Sequence, residues 1–96
     1  MTADDKLKRL GFELFKKDDI IGYLVYENRN ADHQVELDWD ESEWIIHSSS
    51  ISLMKDWYGQ DERRPMGLIC DECEAFLLKI KELVNESNRK RKLSRK

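Results

Sequence analysis

Cys70 and Cys73 stand three residues apart in "CDEC", a spacing that suits two kinds of chemistry. A Cys-x-x-Cys pair supplies half of a tetrahedral zinc site, or, at a helix N-terminus, a redox couple whose thiol is acidified by the helix. A zinc site needs two further ligands, and the remaining soft ones, His33 and His47, are isolated in separate strand candidates. Redox exchange needs a thiolate, which Asp71, Glu72 and Glu74 disfavour by surrounding the pair with negative charge. A plain helix start accounts for every position: Cys70 takes the cap site, the acids favour the positive end of the helix, and Cys73 opens the apolar stripe. The pair is therefore expected to be structural, with no metal and no cofactor. Nor does the chain contain a nucleophile elbow, a phosphate loop, an HExxH helix or a triad-like set, so an enzyme is not expected. The acid run "ELDWDESEW" lacks the glycine and distal glutamate of a calcium loop and reads as the wet face of a strand entering a turn.

The elements that position these residues follow from hydrophobic period. "TADDKLKRLG" predicts a short helix, with Thr2 as cap, Asp5 completing a capping box, Leu7 and Leu10 on one face, and Gly11 as the stop. "FELFKK" and "IIGYLVYE" predict two strands separated by the polar break "KDD". "RNAD" predicts a turn. "HQVELDW" alternates cleanly, Val35, Leu37 and Trp39 facing one way and Gln34, Glu36 and Asp38 the other. "WIIHSSSISL", β-branched and aromatic, predicts a further strand after the turn "DESE". Residues 54 to 67 keep neither period, and Gly59, Pro65 and Gly67 punctuate them as an irregular connector. Finally "CDECEAFLLKIKELVNE" places Cys73, Phe76, Leu77, Ile80, Leu83 and Val84 at helical spacing. Short links between strands favour an antiparallel meander, and a one-sided sheet gives the last helix a surface. The expected fold class is α+β: a short N-terminal helix, about four strands, and a C-terminal amphipathic helix packed on one face as a two-layer sandwich.

Length and charge narrow the setting. Ninety-six residues, 39% of them charged and 40% apolar, suit one small water-soluble domain. No apolar run approaches the roughly 18 residues of a membrane span, and "MTADDKLKRL" has acids where a signal peptide needs a basic start. Two cysteines cannot staple a small secreted fold, which agrees with a reducing cytoplasm. The net charge of −3 hides a division: the last eight residues, "RKRKLSRK", hold six of seventeen bases, leaving eleven against twenty acids, or −9, in residues 1–88. The expected organisation is a single domain over 1–88 and a basic, disordered tail over 89–96.

Taken together, "LKRLGF", "YLVYEN", "VELDW" and "GLICDECEAFLLKIKELV" form an arrangement that resembles small uncharacterised proteins carried by phages and prophages of Gram-positive bacteria. The likeness covers residues 2 to 86. Cys70 stands where a capping threonine is common in that group. The resemblance implies an accessory protein of a mobile element and no catalytic assignment.

Two binding readings follow. Trp57 and Tyr58, in the connector beside Arg63 and Arg64, are residue types that anchor protein interfaces, and long loops are often functional. The competing role for Trp57 is to cover one end of the core. The alternative reading is weak, sequence-blind nucleic-acid association through Arg89, Lys90, Arg91, Lys92, Arg95 and Lys96, attached to a body that repels polyanions. An acidic body could also mimic DNA. A protein partner is the leading expectation, and free sheet edges and flat aromatic surfaces also permit a homodimer.

Overall fold

The structure is a computed structural model that describes residues 1 to 94, with side chains described through residue 89. Its elements are α1 (Ala3–Arg9), β1 (Glu13–Asp18), β2 (Tyr23–Asn28), a 3-10 turn (Arg29–Ala31), β3 (His33–Asp40), β4 (Glu43–Lys55), β5 (Asp61–Pro65) and α2 (Cys70–Ser94). The strands form one antiparallel sheet in chain order, β1-β2-β3-β4-β5. Both helices pack on one face of it, so the α+β meander expected from period is present. Its strand count is five rather than about four.

The N-terminal helix forms as its residues dictate. The Asp5 amide donates to Thr2 Oγ1 (3.2 Å) and the Thr2 amide to Asp5 Oδ2 (3.1 Å), a complete capping box. Gly11 ends the helix at φ +96°, and Asn28 Nδ2 donates to the Leu10 carbonyl (3.2 Å), docking the helix end on β2. A Cβ at Gly11 would sit 2.8 Å from that same amide nitrogen, so glycine serves both the turn and the close approach.

Leu7 and Phe12 join Leu24, Tyr26, Val35, Leu37, Ala75 and Phe76 in the core between helices and sheet. Phe76 lies edge-on to both Phe12 (5.2 Å) and Tyr26 (5.6 Å), so one helical ring ties the helix to the strands. Polar contacts fasten α1 to α2 around this cluster. Tyr26 donates its hydroxyl to Asp4 Oδ1 (2.7 Å), Lys79 Nζ reaches Asp4 Oδ2 (3.2 Å), and the Ala3 amide donates to Glu82 Oε2 (2.9 Å). Burial and the Asp4 carboxylate together hold the Tyr26 hydroxyl strongly protonated.

Several expectations need correction. The apolar run "IIGYLVYE" is not all strand: Ile20 and Ile21 sit in the β1–β2 turn, and pairing starts at Tyr23. Cys70 is the first helical residue rather than the cap, because Ile69 accepts the first helical bond from the Cys73 amide (2.9 Å), while Ile69's own amide donates to Glu72 (3.0 Å). Leu77 and Val84 are exposed, so the inward stripe of α2 is narrower than spacing suggests. Gln34, placed by alternation on the wet face, is only 5% exposed, and its amide is satisfied by Glu36 (3.0 Å). The largest departure is the connector, since β4 runs on to Lys55 and β5 returns beside it. At the C-terminus α2 is described as far as Ser94.

Candidate functional site

The β4–β5 ribbon starts from turn chemistry. Asp56 accepts the Gly59 amide on its carbonyl (3.0 Å) and donates its own amide to the Gln60 carbonyl (2.8 Å), while its Oδ1 accepts from the Tyr58 and Gln60 amides (2.8 Å each). Gly59 closes the turn at φ +78°. Asp at the first position and Gly at the fourth is the pattern a tight type I turn prefers, and that glycine is itself the left-handed residue that ends it. With the corner fixed by backbone and by one carboxylate, the two residues between are free to point outward. Trp57 is 94% and Tyr58 86% exposed. Trp57 therefore does not cover the core.

Leu53 and Met54, adjacent on β4 and so on opposite faces of the ribbon, are both exposed, and all of β5 is exposed. Neither face of this two-stranded segment packs on the body. Arg63 stands across from Leu53, and Lys55 pairs with Asp61 (2.6 Å). The sequence-predicted residues Trp57, Tyr58, Arg63 and Arg64 thus belong to one ribbon, the aromatics at its tip and the arginines on its returning strand.

The root is held where the β4–β5 register shifts, between Ser49 and Leu53. Asp32, in the left-handed conformation at φ +51°, accepts the Ser52 amide (2.8 Å) and hydroxyl (2.5 Å), and its carbonyl accepts the Ile51 amide (3.2 Å). Buried Ser50 accepts the Arg64 amide (2.9 Å) and donates to the Ser52 carbonyl (2.8 Å). The bonds from Ser52 hold the Asp32 carboxyl below the usual aspartate range. A bulge closed by side chains is what lets β4 leave the sheet without losing its backbone partners.

Sequence reasoning missed a second apolar feature, a groove of about 380 Å³ at the other end of β4. Its walls are Ile20 and Ile21 of the β1–β2 turn, Trp39 and Trp44 facing each other across β3 and β4, and Leu83 and Val84 of α2. The indole rings lie 5.7 Å apart. The turn repeats the chemistry of the tip: Asp18 Oδ1 accepts from the Ile20 (3.0 Å) and Ile21 (3.3 Å) amides, and Gly22 ends it at φ +72°. Ile20 is 96% exposed. An Asp followed by two large apolar residues and Gly, as in "DIIG" read from Asp19 with Asp18 before it, or "DWYG", is the signal that could have marked both places.

The remaining candidates come apart. Cys70 is exposed and Cys73 half-buried, and no group of three or more His, Cys, Asp or Glu side chains among the described residues is placed to hold a metal. His33 is buried against Ser48 (2.6 Å) and Phe12, whereas the exposed His47 stands across from Glu36, three positions along β3 and on the opposite face of the sheet. Of the basic run, Arg89 is exposed on α2; the side chains of Lys90, Arg91 and Lys92 are not among those described, and Arg95 and Lys96 lie outside the described residues. No helix among the described residues is long and apolar enough to cross a membrane. No protein-family model, curated protein or solved structure matches the chain.

Proposed function

We propose that this chain is a non-catalytic protein-interaction module, an accessory protein of a phage or similar mobile element, that acts in the cytoplasm through its β4–β5 ribbon. The observation that carries the reading is the exposure of Trp57 and Tyr58 at the tip of a ribbon whose side chains on both faces are exposed. Large rigid aromatics gain most from burial against a partner, and here none of that gain is used in folding. Leu53 and Met54 extend the apolar surface along the ribbon, and Arg63 and Arg64 add donors suited to carboxylates. The body of residues 1–88, at −9, disfavours a polyanion as the ligand of this surface.

Affinity purification from host lysate tests the reading, with the full chain, a chain ending at Asn88, and a W57S/Y58S double variant as baits, each with and without nuclease. A protein that survives nuclease and removal of the basic run, and disappears with the double variant, is the expected result. Material that ignores the tip and vanishes with nuclease or with the basic run would refute it and point to nucleic acid held by Arg89 and its neighbours.

A further inference from the structure

β5 is the last strand of the sheet, with β4 on one side of it, and its hydrogen bonds show which way each backbone group points. The Gln60 carbonyl accepts from the Asp56 amide (2.8 Å) and the Gln60 amide donates to Asp56 Oδ1 (2.8 Å), while the Arg64 amide donates to Ser50 Oγ (2.9 Å) and the Met66 amide to the Ser48 carbonyl (3.1 Å). Gln60, Arg64 and Met66 thus face β4, and strand alternation turns the amides and carbonyls of Asp61, Arg63 and Pro65 to the open side. Pro65 has no amide hydrogen to give. Asp61 and Arg63 are therefore the two residues of β5 that offer both a donor and an acceptor along the edge. We propose that this edge pairs antiparallel with β5 of a second copy, about a two-fold axis through Glu62 that sets Asp61 of each copy opposite Arg63 of the other.

Backbone direction and charge order select the same occupant and the same register. Residues directly opposite in an antiparallel ladder both face it or both face away, so an outward residue must meet an outward residue. The register about Glu62 uses the donor and acceptor of Asp61 and Arg63 on both copies; the neighbouring ones set Asp61 against Asp61, or Arg63 against Arg63 with Asp61 facing the donorless Pro65. In sequence the acids Asp61 and Glu62 precede the bases Arg63 and Arg64, all exposed, so two such strands running opposite ways bring acid beside base. Lys55 Nζ holds Asp61 Oδ1 from the β4 side (2.6 Å), and a carboxylate has further acceptor sites for a guanidinium. On the other face Glu62 meets Glu62 of the second copy, each flanked by Arg64 of its own strand and, diagonally, by Arg64 of the other, which offsets their repulsion. β1, at the opposite edge of the sheet, is interrupted by a register shift between Leu14 and Lys16, an irregularity that blunts an edge. Pairing over so short a strand makes a small contact, with a dissociation constant expected at about 0.1–1 mM. The two-fold occupies the same edge on both copies, so association closes at the dimer.

The inference concerns the edge of the ribbon rather than its aromatic tip, and NMR on the isotope-labelled full chain tests it by dilution from about 1 mM to about 20 μM. With rising concentration the diffusion coefficient is expected to fall toward that of a dimer, and the Asp61 and Arg63 amide protons to move downfield as they gain acceptors. Asp61→Arg sets arginine against arginine and Arg63→Asp sets aspartate against aspartate, so each variant alone should associate at least about tenfold more weakly than the parent. Both positions are exposed, so both melting temperatures should stay within a few degrees of the parent's. Mixed in equal amounts, the two variants should associate again, because in the mixed dimer every one of the four residues faces an opposite charge. A parent chain monomeric at about 1 mM overturns the inference. So does a single variant that associates as the parent does, or a mixture that stays monomeric. If the edge fails in this way while W57S/Y58S still loses a lysate protein, self-pairing falls and the protein-binding reading of the tip stands.

Discussion

Replacing Trp57 by alanine separates a surface anchor from a core cover, because the two roles differ tenfold in energy. With 94% of Trp57 already in water, folding covers about 15 Å² of a side chain whose full burial removes about 150–250 Å². At about 25 cal/mol per Å² that is about 0.4 kcal/mol. For a domain of this size one kcal/mol moves the melting temperature by about 4–8 °C, so the expected drop is about 2–3 °C. A tryptophan closing one end of the core would cost about 3–5 kcal/mol, and at least about 12 °C. Differential scanning calorimetry on parent and variant reads the difference directly. Phe76→Ala, deleting a fully buried ring between Phe12 and Tyr26, calibrates the large end in the same experiment. A fall beyond about 10 °C for Trp57→Ala would mean that the ribbon folds back on the body, and the surface argued above would not exist.

Two further outcomes probe the corners of the fold. Gly22→Ala is expected to cost about 2–4 kcal/mol in urea denaturation, because Gly22 is at φ +72° and a Cβ there would lie 2.7 Å from Trp39 Cβ, an atom fixed to the β3 backbone; a loss under about 1 kcal/mol would show that the β1–β2 turn is not held against Trp39. In acid, Asp32 and Asp5 both have folded-state carboxyls held below the ordinary aspartate value of about 3.9, mainly by bonds from Ser52 and from Thr2. The unfolded chain then binds more protons, so their contribution is complete above that value and is lost as pH falls through the folded-state values. Stability measured from pH 6 down to about 2 should fall less steeply in Asp32→Asn than in the parent; an unchanged acid limb would refute the role given to the Ser52 bonds.

What the sequence made legible was whatever depends on period and on local capping. The Thr2 and Asp5 pattern reads directly as a helix start because both bonds lie within four residues. Val35 and Leu37 alternate with acids, and Phe76, Ile80 and Leu83 recur at helical spacing, so the central strands and the last helix are visible in any window. The ribbon was not. β5 is "DERRP", which has no apolar face to alternate, and it exists because β4 supplies its backbone partners and Asp56 and Gly59 supply its turn. Trp57, Tyr58, Arg63 and Arg64 were visible as residue types, while their common support was not. The groove was harder still. Trp39 and Trp44 meet through strand register, and Leu83 and Val84 come from forty residues further on, a convergence that no local pattern encodes.

The distribution of charge explains why such a surface is carried on a ribbon rather than on the body. Outside the last eight residues the chain has eleven bases and twenty acids, so two bodies repel each other wherever they approach closely. Repulsion of this kind fades over a Debye length of about 8 Å at physiological salt. Within residues 53–65 the charges cancel, Lys55, Arg63 and Arg64 against Asp56, Asp61 and Glu62. A neutral segment whose tip lies beyond the sheet presents tryptophan and tyrosine where the field of the body is weakest, while the acidic surface suppresses every less specific contact. On the reading proposed above, apolar exposure that would be an aggregation hazard on a neutral protein serves a selective contact on this one.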